Sequence, residues 1–103
     1  MYKGFLIIFL FYSFISYAQT INGYITDEQS NSLPAVNISI LNQSMGVTSD
    51  DNGKYDIVIP PNRSIVLVYS FIGFEQEKIR IPMLKKGQKY TLDIQLKSLV
   101  NWL

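Results

Sequence analysis

The chain has 103 residues, nine of them lysine or arginine and eight aspartate or glutamate, with neither histidine nor cysteine. That length holds one domain. The absent thiols and imidazoles exclude thiolate metal sites, thiol nucleophiles and the usual general base, and the near-neutral charge gives no electrostatic case for nucleic acid or an anionic membrane.

Met1-Tyr2-Lys3 is a small basic start, Gly4 to Ile15 is almost wholly apolar, and Ser16-Tyr17-Ala18 places small residues at the two positions a signal peptidase inspects. That order predicts a secretory signal peptide over residues 1–18, cleaved after Ala18, with an uncleaved membrane anchor as the alternative. The apolar run is shorter than the roughly 20 residues a helix needs to cross a bilayer. Removal of Lys3 leaves 8 basic and 8 acidic residues, 8 minus 8, a formally neutral mature chain.

From Gln19 onward the pattern is strand after strand. Thr20 to Thr26 places Ile21 and Ile25 on one face, with Tyr24 opposite and Gly23 marking a bulge or a close backbone approach. Asp27 to Ser32 is a polar turn, and Leu33-Pro34 an edge or strand entry. Ala35 to Leu41 alternates again, Met45 to Ser49 is a short strand, and Asp50-Asp51-Asn52-Gly53 supplies a tight turn into Lys54 to Ile59. Pro60-Pro61-Asn62-Arg63 stiffens the next connection. Ile65 to Ile72 is apolar on both faces, the mark of a central strand covered on both sides. After Gly73, Phe74 to Ile81 reads as a more polar strand near an edge. Pro82 to Lys89 is a loop with a basic cluster. Tyr90 to Lys97 is the last strand, with Tyr90, Leu92, Ile94 and Leu96 on its inner face. Residues 98–103 form a tail outside the pattern. Seven short strands, turns every 8 to 12 residues and no amphipathic helix predict an all-β antiparallel sandwich over residues 19–97. Tyr55, Ile57, Leu67, Leu92 and Ile94 are its expected buried positions, and Tyr90 is also expected in the core.

Several short motifs stand in a fixed order along the chain. They are Gly23, Ile25 and Asp27; Leu33, Pro34 and Ala35; Gly46, Val47 and Asp50; Asn52, Gly53 and Tyr55; and Ser70-Phe71-Ile72-Gly73-Phe74. Together they resemble the carboxypeptidase regulatory-like, or transthyretin-like, domain found at the amino terminus of TonB-dependent outer-membrane receptors in Bacteroidetes-type bacteria. The resemblance covers nearly all of residues 20–96. It departs mildly at Ala35, where glycine is frequent, and at Ser49, where threonine is. It implies a seven-stranded Greek-key sandwich of transthyretin or immunoglobulin type, without catalysis or cofactor. In the receptors such a domain precedes a plug and a barrel, so the chain is expected to be a receptor fragment or a free-standing periplasmic module.

Each residue type that suggests chemistry also has a plainer reading. Asp50, Asp51 and Asn52 resemble part of a calcium loop, but the later ligands and closing glutamate are missing, and Asn-Gly turn chemistry explains the stretch. Glu75 and Glu77 fall on one strand face, yet same-face neighbours rarely converge across a glycoside, and Lys78 and Arg80 beside them suggest solvated charge. Tyr24, Tyr55, Tyr69, Tyr90 and Trp102 offer an aromatic platform for sugars; core packing is the commoner use, and Tyr24 is the exposed one of the set. Lys85, Lys86 and Lys89 form a solvated basic loop. Asn37, Asn42 and Asn62 begin sequons, which are incidental if the chain is bacterial, as the resemblance implies. The expectation is therefore an exported, non-enzymatic interaction or spacer module in the periplasm or outer membrane. Its partners would be envelope proteins or the rest of a receptor, not nucleic acid. The alternative is a small carbohydrate-binding module.

Overall fold

The computed structural model describes residues 19–85 and 87–99. The expected signal peptide over 1–18, together with Lys86 and Trp102, lies outside the described residues. Among the described residues there are eight strands: β1 Gln19–Thr26, β2 Asn37–Ile40, β3 Gly46–Thr48, β4 Lys54–Ile59, β5 Ile65–Ser70, β6 Glu77–Ile81, β7 Lys89–Thr91 and β8 Ile94–Gln95. They form two sheets, one ordered β4-β1-β7 with β8 also against β1, the other ordered β3-β2-β5-β6.

Period-two alternation builds the core between the sheets. Ile21 and Ile25 from β1, Tyr55, Ile57 and Ile59 from β4, Ile38 and Ile40 from β2, and Ile65, Leu67 and Tyr69 from β5 all point inward and are buried. Ile81, Leu84, Ile94 and Leu96 close the same cluster. Each such aliphatic side chain contributes on the order of 1.5–3 kcal/mol on full burial. No disulfide assists, so this cluster carries the domain.

The expected seven-stranded antiparallel sandwich needs correction in two respects. β1 pairs antiparallel with β4 but parallel with β7 and β8. The last strands reach β1 by crossing over from β6 in the other sheet rather than through a hairpin, which permits parallel pairing. The final strand is also broken in two. The Leu92 amide still donates to the Asn22 carbonyl at 2.7 Å. The Tyr24 amide then turns to the Asp93 Oδ1 at 2.9 Å, and the ladder is interrupted. Gly23 lies opposite the break, and a Cβ built there would collide with the Leu92 carbonyl oxygen.

Other differences are local. β5 stops at Ser70, where the Phe74 amide bonds the Phe71 carbonyl at 3.1 Å, and the turn leaves Ile72 91% exposed. Phe74 meets Ser98 only through an isolated bridge, so β6 begins at Glu77. Val68 is buried but stands outside the contiguous core. Its register partners are Ser39 and Lys78, so neighbouring strands cover the second face of β5, not another layer. Tyr90, expected in the core, is 43% exposed and Leu92 is half-buried. Tyr90 is level with Ile21 on the inner side of β1, but it stands at the seam where β6 and β7 face each other without pairing.

Candidate functional site

Strand directions sort the charged residues between the two ends of the sandwich. β1 runs from Gln19 to Thr26, and antiparallel β4 returns from Lys54 to Ile59. The Phe74–Ser98 bridge and the bond from the Glu75 amide to the Lys97 carbonyl, 2.8 Å, bring the far end of β5 to the Thr26 end. Asp27, Glu28, Asp50, Asp51 and Glu75 therefore gather at that end, with Lys54 and Lys97 among them. At the other, Gln19 donates through Nε2 to the Leu84 carbonyl at 2.8 Å, and β6 finishes beside the start of β5. Arg63, Arg80, Lys85 and Lys89 collect there.

The acidic end is made of self-satisfied turns. Asp27 Oδ1 accepts the Gln29 amide at 2.8 Å and the Asn31 amide at 2.9 Å, while Oδ2 takes the Asn31 side chain at 3.2 Å. The Asn31 amide is the main reason its carboxyl titrates below the usual carboxylate range. Asp50 Oδ1 accepts the Asn52 and Lys54 amides, both at 2.9 Å. Gly53 has φ +76 and donates to the Asp50 carbonyl. The chemistry of Asp50 is thus that of an Asx turn. Among the described residues, no group of three or more carboxylates is placed to hold a metal ion.

A second polar arrangement lies inside the core. Tyr55 Oη donates to the Leu92 carbonyl at 2.6 Å and lies 2.7 Å from Tyr69 Oη. With the Tyr55 proton committed to the carbonyl, Tyr69 donates to Tyr55. Burial raises both phenol pKa values above the ordinary 10. Ser49 Oγ likewise donates to the Leu33 carbonyl at 2.7 Å and accepts the Val36 amide at 2.9 Å. These hydroxyls serve packing and are closed to solvent.

The aromatic platform of the alternative reading is not assembled among the described residues. Tyr55 and Tyr69 are buried, Tyr24 stands on the outer face of β1, and Tyr90 stands at the β6–β7 seam. Glu75 lies in the loop before β6, so the expected one-face pair with Glu77 does not form on a strand. Of the remaining motif residues, Pro34 lies in an exposed turn, Gly46 opens β3 and Gly73 occupies the turn after β5.

The basic end holds an open cleft of about 340 Å3 between the 41–43 loop and the 63–64 segment, floored by β5. Leu41, Asn42, Gln43, Arg63, Ser64 and Arg80 line it, and among the described residues no carboxylate does. The sequence offers little signal for this cleft. Arg63 and Arg80 are far apart along the chain, and only the β5–β6 register, Val66 opposite Arg80, brings them to one place.

A two-sheet, all-β sandwich with short polar end loops defines the class of module. The chain belongs to the CarboxypepD_reg-like domain family, whose model matches residues 21–103. It is 31% identical over 100 residues to the TonB-dependent receptor P39 of Formosa agariphila, a match covering 93% of this chain and 9% of the receptor. It is 33% identical over 64 residues to the TonB-dependent receptor P3 of the same organism, covering 61% of this chain and 6% of that one. The chain thus spans under a tenth of the length of these relatives. Among solved structures it is similar to a catechol 1,2-dioxygenase from Acinetobacter, with a TM-score of 0.64, 13% identity, and coverage of 84% of this chain and 54% of that one. It is also similar to a type II cohesin–X-dockerin complex from Acetivibrio cellulolyticus, with a TM-score of 0.64, 12% identity, and coverage of 78% and 58%. At such identities these likenesses show the fold alone.

Proposed function

We propose that the chain is an exported, non-catalytic β-sandwich module of the bacterial cell envelope, acting as an interaction or spacer domain tied to a TonB-dependent outer-membrane receptor. The observation that carries this reading is the match to receptor P39 across 93% of the chain. The chemistry of the chain agrees with a binding or spacing role. The sequence lacks histidine and cysteine, and the Tyr55 and Tyr69 hydroxyls are bonded inside the core. Among the described residues, no helix is long and apolar enough to cross a membrane. In this reading residues 1–18 direct export, 19–97 form the domain and 98–103 are a tail whose first two residues stay bonded to it. Gly23, Asp27, Pro34, Gly46, Asp50, Asn52, Gly53, Tyr55 and Gly73 serve the fold rather than a ligand, and the partners are envelope proteins or the rest of a receptor.

Cell fractionation with amino-terminal sequencing tests the proposal. The expected product starts at Gln19 and is found in the periplasmic or outer-membrane fraction. An unprocessed protein confined to the cytoplasm would overturn it.

A further inference from the structure

We propose that the cleft at the basic end of the sandwich is an oxyanion-binding site, taking a carboxylate, sulfate or phosphate group of a small ligand. Arg63 and Arg80 line the cleft from two different elements, the loop before β5 and the end of β6. Among the described residues, no carboxylate or hydrogen-bond acceptor engages either guanidinium. Guanidinium groups offer forked donors that match planar or tetrahedral oxyanions, so two facing one hollow form a ready receptor. Asn42, Gln43 and Ser64 add neutral donors to the rim, and exposed Leu41 adds an apolar wall for the remainder of the ligand.

The surroundings strengthen the case. Lys85 and Lys89 lie at the same end, and the carboxylates of the Asp27, Asp50 and Glu75 loops lie at the opposite one. A chain of formal net charge +1 therefore presents a positive field at the cleft mouth, and a hollow between low-dielectric walls concentrates it. On the outer face of β6, Lys78 and Arg80 alternate with inward-facing Ile79 and Ile81, so no acidic side chain on that strand face offsets the arginines. Asn42 and Asn62, with φ of 67 and 64, turn the two loops that shape the rims. The inference is independent of receptor membership: the cleft chemistry stands whichever envelope protein the module serves.

The test is titration of the purified chain by amide and arginine-side-chain NMR. Sodium sulfate, inorganic phosphate and glucuronate are the probes, glucose is the neutral control, and ionic strength is held constant with chloride. Saturable shifts are expected at Asn42, Gln43, Arg63, Ser64 and Arg80 with at least one anion, and none with glucose. Arg63→Gln and Arg80→Gln should each weaken binding roughly tenfold. Lys89→Gln, with the same charge change outside the cleft, should alter it by no more than about twofold. Stronger binding of glucuronate would point to acidic sugars as the source, and stronger binding of phosphate or sulfate to a phosphorylated or sulfated group; both support the site. Absence of saturable shifts with all three anions, or equal loss on Lys89→Gln and the arginine variants, would overturn it. All three substitutions are at exposed positions, and an unchanged β-type circular dichroism spectrum verifies the fold of each variant.

Discussion

Tyr55 and Tyr69 meet edge to face in the core, with ring centroids 5.5 Å apart and planes at 85°. Their hydroxyls form a chain that ends on the Leu92 carbonyl, and the direction of that chain makes the two residues unequal. Tyr69→Phe removes one neutral hydrogen bond and should cost about 0.5–1.5 kcal/mol. Tyr55→Phe leaves both the Tyr69 hydroxyl and the Leu92 carbonyl unpaired and should cost more, about 1–3 kcal/mol; urea denaturation of the two variants measures the difference. The same burial fixes an alkaline limit. The unfolded phenols ionise near 10, while in the fold both pKa values lie higher. The unfolded state therefore binds fewer protons above that pH, and stability should fall as pH rises beyond it. Asp27 acts at the other extreme. Its folded pKa lies below the ordinary 3.8, so its contribution is present above that value and lost as pH falls through the folded one. Thermal melts across both limits check the signs. Ala35 has φ 62, a left-handed backbone that disfavours any side chain. The frequent glycine of the resembling family fits that angle. Ala35→Gly should stabilise by about 0.5–1 kcal/mol, the relief exceeding the added chain entropy.

The elements differ in how much of them could be read from local pattern. β4 spans Lys54–Ile59, the expected range, because its alternation and its Asn-Gly turn are both local. The flanks of β2 and β5 shortened by one or two residues, where Ala35 and Gly73 turn the chain. The break between β7 and β8 was not legible, because Tyr90 to Lys97 alternates without a fault. What breaks it is Gly23, distant in sequence, which admits the Leu92 carbonyl where a Cβ would stand. Tyr90 was misplaced for a related reason: alternation tells which face a residue takes, not whether a partner sheet reaches it. Gly23→Ala should therefore destabilise by about 1–3 kcal/mol through overpacking against backbone, and hydrogen exchange should show the β8 amides losing protection first. Leu67→Ala, in the centre of β5, should cost about 2–5 kcal/mol, a large share of the roughly 5–15 typical of a domain.

At the scale of the molecule, the fold class and family were legible because spaced turns and alternating strands dominate the chain. The charge arrangement was not. Each of Arg63, Arg80, Lys85 and Lys89 looks like an ordinary solvated cation until the strand registers place them at one end. The aromatic residues show the converse: their number suggests a platform, and the core absorbs Tyr55 and Tyr69. The segregation of charge also has a measurable consequence. Anion binding at the cleft should weaken steeply as ionic strength rises from about 0.01 to 0.15 M, as the screening length contracts from roughly 30 to 8 Å.

The parallel placement of β1 against β7 and β8 also has a mechanical meaning. The leading end of β1 lies at the basic end of the sandwich, and the trailing end of β8 at the acidic one. Tension applied between these points would pull adjacent strands past each other in shear, loading both ladders at once. Tension across the antiparallel β1–β4 pair, applied at Gln19 and Ile59, which are register partners, would instead unzip the bonds one after another. Forced unfolding reports the barrier rather than the equilibrium stability. Single-molecule pulling between residues 19 and 99 should therefore give a clearly higher rupture force than pulling between residues 19 and 59, and equal forces would refute the shear geometry. A module built this way can transmit load along its length.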